Sequence, residues 1–234
     1  MMIISSIIAI AGVFCSLLLY ASGAKLHQII CGWIFAPSFI FYPLYNVDLI
    51  PILSIILSYY LQQKRRPQLA ILCLAIGTAI KVFPIFLLPV FLLENHGKQR
   101  LKLIIIFILI WLACNINFMI TDWGRWIYPY LWQIQENFAK TNHDGSWTWL
   151  IYVMFEHFGI GNWSGKVSLL LFTLSYGYLI HKNQHWTLAR KLSCVMILFL
   201  LTDRIYSPQY NLYLLPCLVL LDYKVSWRYF YLLE

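Results

Sequence analysis

The chain alternates between long apolar runs and short polar breaks. A single helical crossing of a bilayer takes about 20 apolar residues. Met2–Tyr20 supplies the first run, followed by a break at Lys25 and His27. Ile29–Tyr45 supplies the second, interrupted by Pro37 and Pro43. Asn46-Val47-Asp48 separates it from Leu49–Gln62, which ends at Lys64-Arg65-Arg66-Pro67, the sharpest polar boundary in the chain. The runs are continuous and lack the roughly ten-residue alternation of an outer-membrane barrel. They predict helices, which satisfy their own backbone in lipid.

Gln68–Leu93 is a 26-residue apolar stretch with Lys81 and Pro84 near its middle. One straight helix of that length is about 39 Å long, against a hydrocarbon core of about 30 Å. Both flanks, Lys64–Arg66 and Lys98–Lys102, are basic. Basic flanks collect on one side of a membrane, so two short helices meeting at Lys81–Pro84 are expected. Leu101–Ile120, Val167–Ile180, Leu192–Thr202 and Pro208–Leu221 complete the apolar runs. Thr121–Lys166 is a non-spanning outer segment rich in Trp and Tyr. The expected fold is all-α: a polytopic transmembrane helical bundle of about 8–9 membrane segments, broken helices included. It forms a single transmembrane domain over residues 1–234.

Composition agrees. Of 234 residues 61% are apolar and 11% charged, with a mean hydropathy of +0.71. A soluble domain carries about 25% charged residues. A soluble globular domain, a disordered chain and a disulfide scaffold are thereby excluded. The net charge of +8 has its explanation in membrane sidedness, not nucleic acid, since no basic run exceeds Lys64-Arg65-Arg66. One side takes the loops at Lys25, Lys64–Arg66, Glu94–Lys102 and Lys182–Lys191 and the tail, with 12 basic residues; the other side holds 5. That bias makes the first side cytoplasmic. Asp48, Lys81, the long segment and the Asp203 turn then share the periplasmic or lumenal face. Met1–Tyr20 has no basic residue before it and reads as a mature helix, not a signal peptide. The six cysteines form no CxxC pair and read as small buried hydrophobes.

Ionisable residues within a bilayer segment are functional hypotheses by default. Asp48 opens an apolar helix, where it serves either as an N-cap or as a functional acid. Lys81 costs about 2.5–3.5 kcal/mol at a helix centre on insertion scales. It needs a partner, water or an anion, or it snorkels to the interface; a phosphate is the preferred ligand. Asp203-Arg204-Ile205-Tyr206-Ser207-Pro208-Gln209-Tyr210 packs an acid, a guanidinium, hydroxyls and an amide between two apolar runs. Arg suits phosphate through its planar fork; the plain alternative is a tight turn with an interfacial Tyr belt. In the outer segment, His143-Asp144-Gly145-Ser146-Trp147 is the functional patch, because His shuttles protons near neutral pH. Aromatic rings such as Trp147 also stack on sugar faces. No metal site, P-loop or hydrolase triad is present, and no cofactor is implied.

Several blocks together carry a family resemblance. They are Tyr45-Asn46-Val47-Asp48, Gly77 through Lys81-Val82-Phe83-Pro84 with Leu87-Leu88-Pro89, Tyr206-Ser207-Pro208-Gln209-Tyr210 with Leu214-Leu215-Pro216, and Asp144-Gly145-Ser146-Trp147. In this order they resemble the polyprenol-phosphate-mannose-dependent α-mannosyltransferases of the GT-C superfamily of membrane glycosyltransferases. The resemblance implies a bundle of GT-C type and transfer of a sugar, hexosyl or mannosyl, from a polyprenyl-phosphate donor. The transfer would occur at the outer face, with inversion, to a lipid or glycan acceptor. It implies that Lys81, Arg204, Tyr206, Ser207, Gln209 and Tyr210, with Trp147, face the donor. The catalytic acid of such enzymes lies in a large first outer loop, which this chain is expected to lack along with one helix. Asp48, His143 and Asp144 are then the candidates for the base, and a second polypeptide is a possible source of the missing part. A non-enzymatic transporter or flippase of lipid-linked sugars, or an accessory subunit, is the alternative. The bacterial inner membrane is the expected location ahead of the endoplasmic reticulum.

Overall fold

The computed structural model describes residues 2–43, 47–134, 156–159, 163–202 and 208–221. These residues are mostly helical, with no strand among them. The elements are α1 (Met2–Ala21), α2 (Leu26–Ile29), a π-helical turn Ile30–Ile34, α3 (Pro37–Phe41), α4 (Leu49–Gln63) and α5 (Pro67–Ile80). A 3-10 turn Phe83–Leu87 leads to α6 (Leu88–Leu93), then α7 (Lys98–Thr121) and α8 (Trp123–Ile134). Further along the chain come α9 (Ser164–Lys182), α10 (Leu188–Thr202), a 3-10 turn Pro208–Tyr210 and α11 (Asn211–Val219).

Local chemistry sets these boundaries. Pro67 and Pro37 occupy the first turns of α5 and α3, where a missing N–H costs nothing. The run that begins at Ile29 is interrupted at Pro37, which starts a new helix. It is a chain of short pieces: α2, the π turn and α3. α1 ends on Gly23 at φ +95°, with Ala24 N–H donating back to the Leu19 carbonyl. That left-handed terminator suits glycine. α4 ends the same way, with Arg66 N–H donating to the Leu61 carbonyl, but Arg65 occupies the left-handed position at φ +57°. A side chain there costs roughly 1–2 kcal/mol. Arg65→Gly is therefore expected to leave the fold intact and to stabilise it by up to about 1 kcal/mol after the glycine's own entropy cost. Thermal unfolding in detergent reads this, and a clear loss of stability would count against it.

α1 packs on α4, α4 on α5, and α5 on α7. α11 sits between the π turn and α10, with α9 outside α10. Every residue of α11 is buried, as expected of a helix that is apolar all round. Trp33, Leu19, Ile52, Ile56, Leu74, Leu87, Phe91, Leu192 and Leu212 form one continuous core. α4 and α5 approach closely. Ser58 Oγ lies 2.7 Å from the Ser54 carbonyl and 2.8 Å from the Ala70 carbonyl, so one proton ties both helices. Small and hydroxylated residues play this part where helices pack in lipid.

Outward faces are apolar too. Ile7, Ile10, Phe14 and Leu17 of α1 are exposed, as are Leu101, Ile105, Ile108, Leu109 and Ile116 of α7. Such area is unusual on a water-soluble surface. Among the described residues one helix, α7, is long and apolar enough to cross a membrane. α8 lies inside the segment 121–166, and its apolar positions Trp123, Ile127 and Leu131 fall on one helical face. Cys15 and Cys217 are buried, whereas Cys114 is exposed on α7, so burial does not explain all six.

Candidate functional site

α4 and α5 have nearly equal lengths, 15 and 14 residues, and are joined by the tight basic turn at Lys64–Arg66. An antiparallel hairpin with equal arms brings its two open ends level. Asp48 immediately precedes one arm and Lys81 immediately follows the other. Lys81 Nζ donates to Asp48 Oδ1 at 2.5 Å. Asp48 makes no side-chain cap to its own helix. Its carboxylate goes across the hairpin instead.

The two partners differ in access. The Asp48 side chain is 2% exposed and that of Lys81 36%. The Lys81 ammonium also lies 5.3 Å from the Tyr213 ring centroid and 5.9 Å from that of Tyr210. Two aromatic faces and a carboxylate thus surround one cation, each favouring its charge. Tyr213 is close enough to Asp48 for the carboxylate to act on its hydroxyl. Yet the Tyr213 hydroxyl and Asp48 Oδ2 are both buried without a completed hydrogen bond among the described residues. Phe83 packs on Tyr213 at 4.3 Å between centroids, and Phe199 lies 5.5 Å from Phe83. Tyr176 holds the break from the other side, its hydroxyl donating to the Phe86 carbonyl at 2.7 Å.

Of the sequence-predicted site residues, the structure brings together Asp48, Lys81 and Tyr210. Gln209 is half-buried in the same 3-10 turn as Tyr210. Arg204, Tyr206, Ser207, His143, Asp144 and Trp147 lie outside the described residues. Tyr213 was not singled out by the sequence. Its signal was present: it falls three residues after Tyr210, so the two rings lie on one helical face.

Two other polar clusters serve packing. Lys191 Nζ pairs with Glu94 Oε1 at 2.7 Å, and Arg100 Nε donates to the Leu92 and Asn95 carbonyls at the end of α6. Trp126 Nε1 donates to Asn115 Oδ1, which docks α8 on α7. Among the described residues, the long-range ion pairs are Asp48–Lys81 and Glu94–Lys191.

The fold and site define a helical protein with an outward apolar surface, one helix of membrane-spanning length among the described residues, and a cation held at a helix break. The chain belongs to glycosyltransferase family 87: that family's model matches residues 1–202 of its 234. It is thus a glycosyltransferase, using a sugar donor and an acceptor. No curated protein and no solved structure matches the chain.

Proposed function

We propose that this glycosyltransferase is a multi-pass membrane enzyme of GT-C type that moves a hexosyl group, in the first instance mannosyl, from a polyprenyl-phosphate donor. The acceptor is a lipid or glycan hydroxyl on the periplasmic face of the bacterial inner membrane. The observation that carries the donor class is Lys81. It is a cation at a helix break among apolar residues, braced on one flank by Asp48 and open on another. A phosphate linked to a hydrocarbon chain fits that combination of charge and setting.

In the reaction the acceptor oxygen bonds to the anomeric carbon while the bond from that carbon to the phosphate oxygen breaks. The acceptor proton passes to a base, with His143, Asp144 and Asp48 as candidates. Negative charge grows on the departing polyprenyl phosphate. Lys81 offsets it, together with Arg204, while Tyr206, Ser207, Gln209 and Tyr210 donate hydrogen bonds and Trp147 stacks on sugar.

The test is transfer by membranes containing the full chain, supplied with polyprenyl-phosphate mannose labelled in the sugar. Labelled acceptor and free polyprenyl phosphate are the expected products. Movement of intact donor across the bilayer without transfer would overturn the reading and favour a transporter of lipid-linked sugar.

A further inference from the structure

Asp48 and Tyr213 are sealed while Lys81 is open, and this asymmetry separates their roles. The Asp48 side chain is 2% exposed, and one of its oxygens is committed to Lys81. Tyr213 is 1% exposed. An acceptor hydroxyl would have to enter hydrogen-bond range of Asp48 to lose its proton there. Ile52 and Leu49 of α4 are also fully or almost fully buried beside it in sequence, so the start of α4 is packed in the core. Of Asp48, Tyr213 and Lys81, it is Lys81 that presents a face to a ligand.

A lone ammonium among apolar groups either gives up its charge or leaves the site. A carboxylate at 2.5 Å prevents both. We infer that Asp48 is the positioning residue of an anion site at Lys81, holding its ammonium at the helix break for a polyprenyl phosphate, and is not the catalytic base. This rests on the donor class proposed above. Tyr213 completes the arrangement from behind, its ring facing the cation and its hydroxyl beside the carboxylate. An ammonium has three donors, and Asp48 takes one of them.

The test is equilibrium binding of decaprenyl phosphate to the purified full chain, with decaprenol, its uncharged alcohol, as the reference. Wild type is expected to prefer the phosphate. Asp48→Asn should weaken phosphate binding by about tenfold or more, equivalent to about 1.4 kcal/mol, and leave decaprenol binding unchanged. Asp48→Glu should retain most of the preference. The double variant Asp48→Asn with Lys81→Arg is the decisive one. A guanidinium keeps its charge without a counter-ion, so phosphate binding should return.

Each result has a consequence. Unchanged phosphate binding in Asp48→Asn, with sugar transfer lost, would make Asp48 the base and overturn the inference. Tighter binding would make Asp48 a competitor of the ligand and overturn it as well. Should Asp48→Asn not fold, a folded double variant that still discriminates supports the inference, and one that folds without discriminating overturns it. A wild-type chain that binds both lipids equally would instead remove the donor class itself, and the inference with it.

Discussion

Lys81→Met is expected to lower kcat/KM for a polyprenyl-phosphate sugar by about 100- to 1,000-fold, the usual cost of deleting one donor to developing negative charge. It should also destabilise the chain. Methionine fills much the same volume but leaves the Asp48 carboxylate, 2% exposed, without its partner. Removing one member of a buried pair costs about 3–5 kcal/mol. Lys81 is 36% exposed, and water at its flank lowers the loss toward about 3 kcal/mol. The two effects separate experimentally. Lys81→Arg keeps the charge and the bond to Asp48, so thermal unfolding should move little. Transfer should fall less than in Lys81→Met, because the planar fork is a different shape and not an absent charge. A folded Lys81→Met chain that transfers sugar within a few-fold of wild type would remove Lys81 from the site.

The second large effect is at Gly77. A Cβ built there would lie 1.8 Å from Ser54 Oγ and 2.8 Å from Ser54 Cβ. The hydroxyl can rotate, but the Cβ is fixed to the backbone of α4. Gly77→Ala must therefore push α4 and α5 apart, at about 1–3 kcal/mol for an overpacked interface. Gly77 stands one helical turn before Lys81, so the same displacement opens the Lys81–Asp48 bond. Stability and transfer should fall together. Ser54→Gly removes the obstructing atoms, and the pair Gly77→Ala with Ser54→Gly should recover part of both losses. Equal losses in the single and double variants would show that the contact is not the cause. Purified protein yield, thermal unfolding and sugar transfer are the measurements.

The sequence displayed the helices of the hairpin and the break after them. The basic turn, Pro67 and Pro84 mark those boundaries by local rules alone. Asp48 and Lys81 were also visible as isolated charges, but their pairing was not. It depends on the near equality of two helix lengths across a turn. Pro37 marks the break in the run from Ile29, but the π-helical turn Ile30–Ile34 has no signal in the sequence. α8 was hidden because its aromatic residues suggested an interfacial belt before they suggested a helical face. The Glu94–Lys191 pair joins residues 97 apart in sequence. Nothing short of the tertiary fold places those two residues together.

The hairpin arms carry one more consequence, for the membrane around them. At 1.5 Å per residue, arms of 15 and 14 residues reach about 21–23 Å, whereas a hydrocarbon layer is about 30 Å thick. In the multi-pass orientation proposed above, with the basic turn Lys64–Arg66 at one headgroup plane, the hairpin's open end and its Asp48–Lys81 pair stop short of the other plane. A donor phosphate would then have to sink below the interface to meet Lys81.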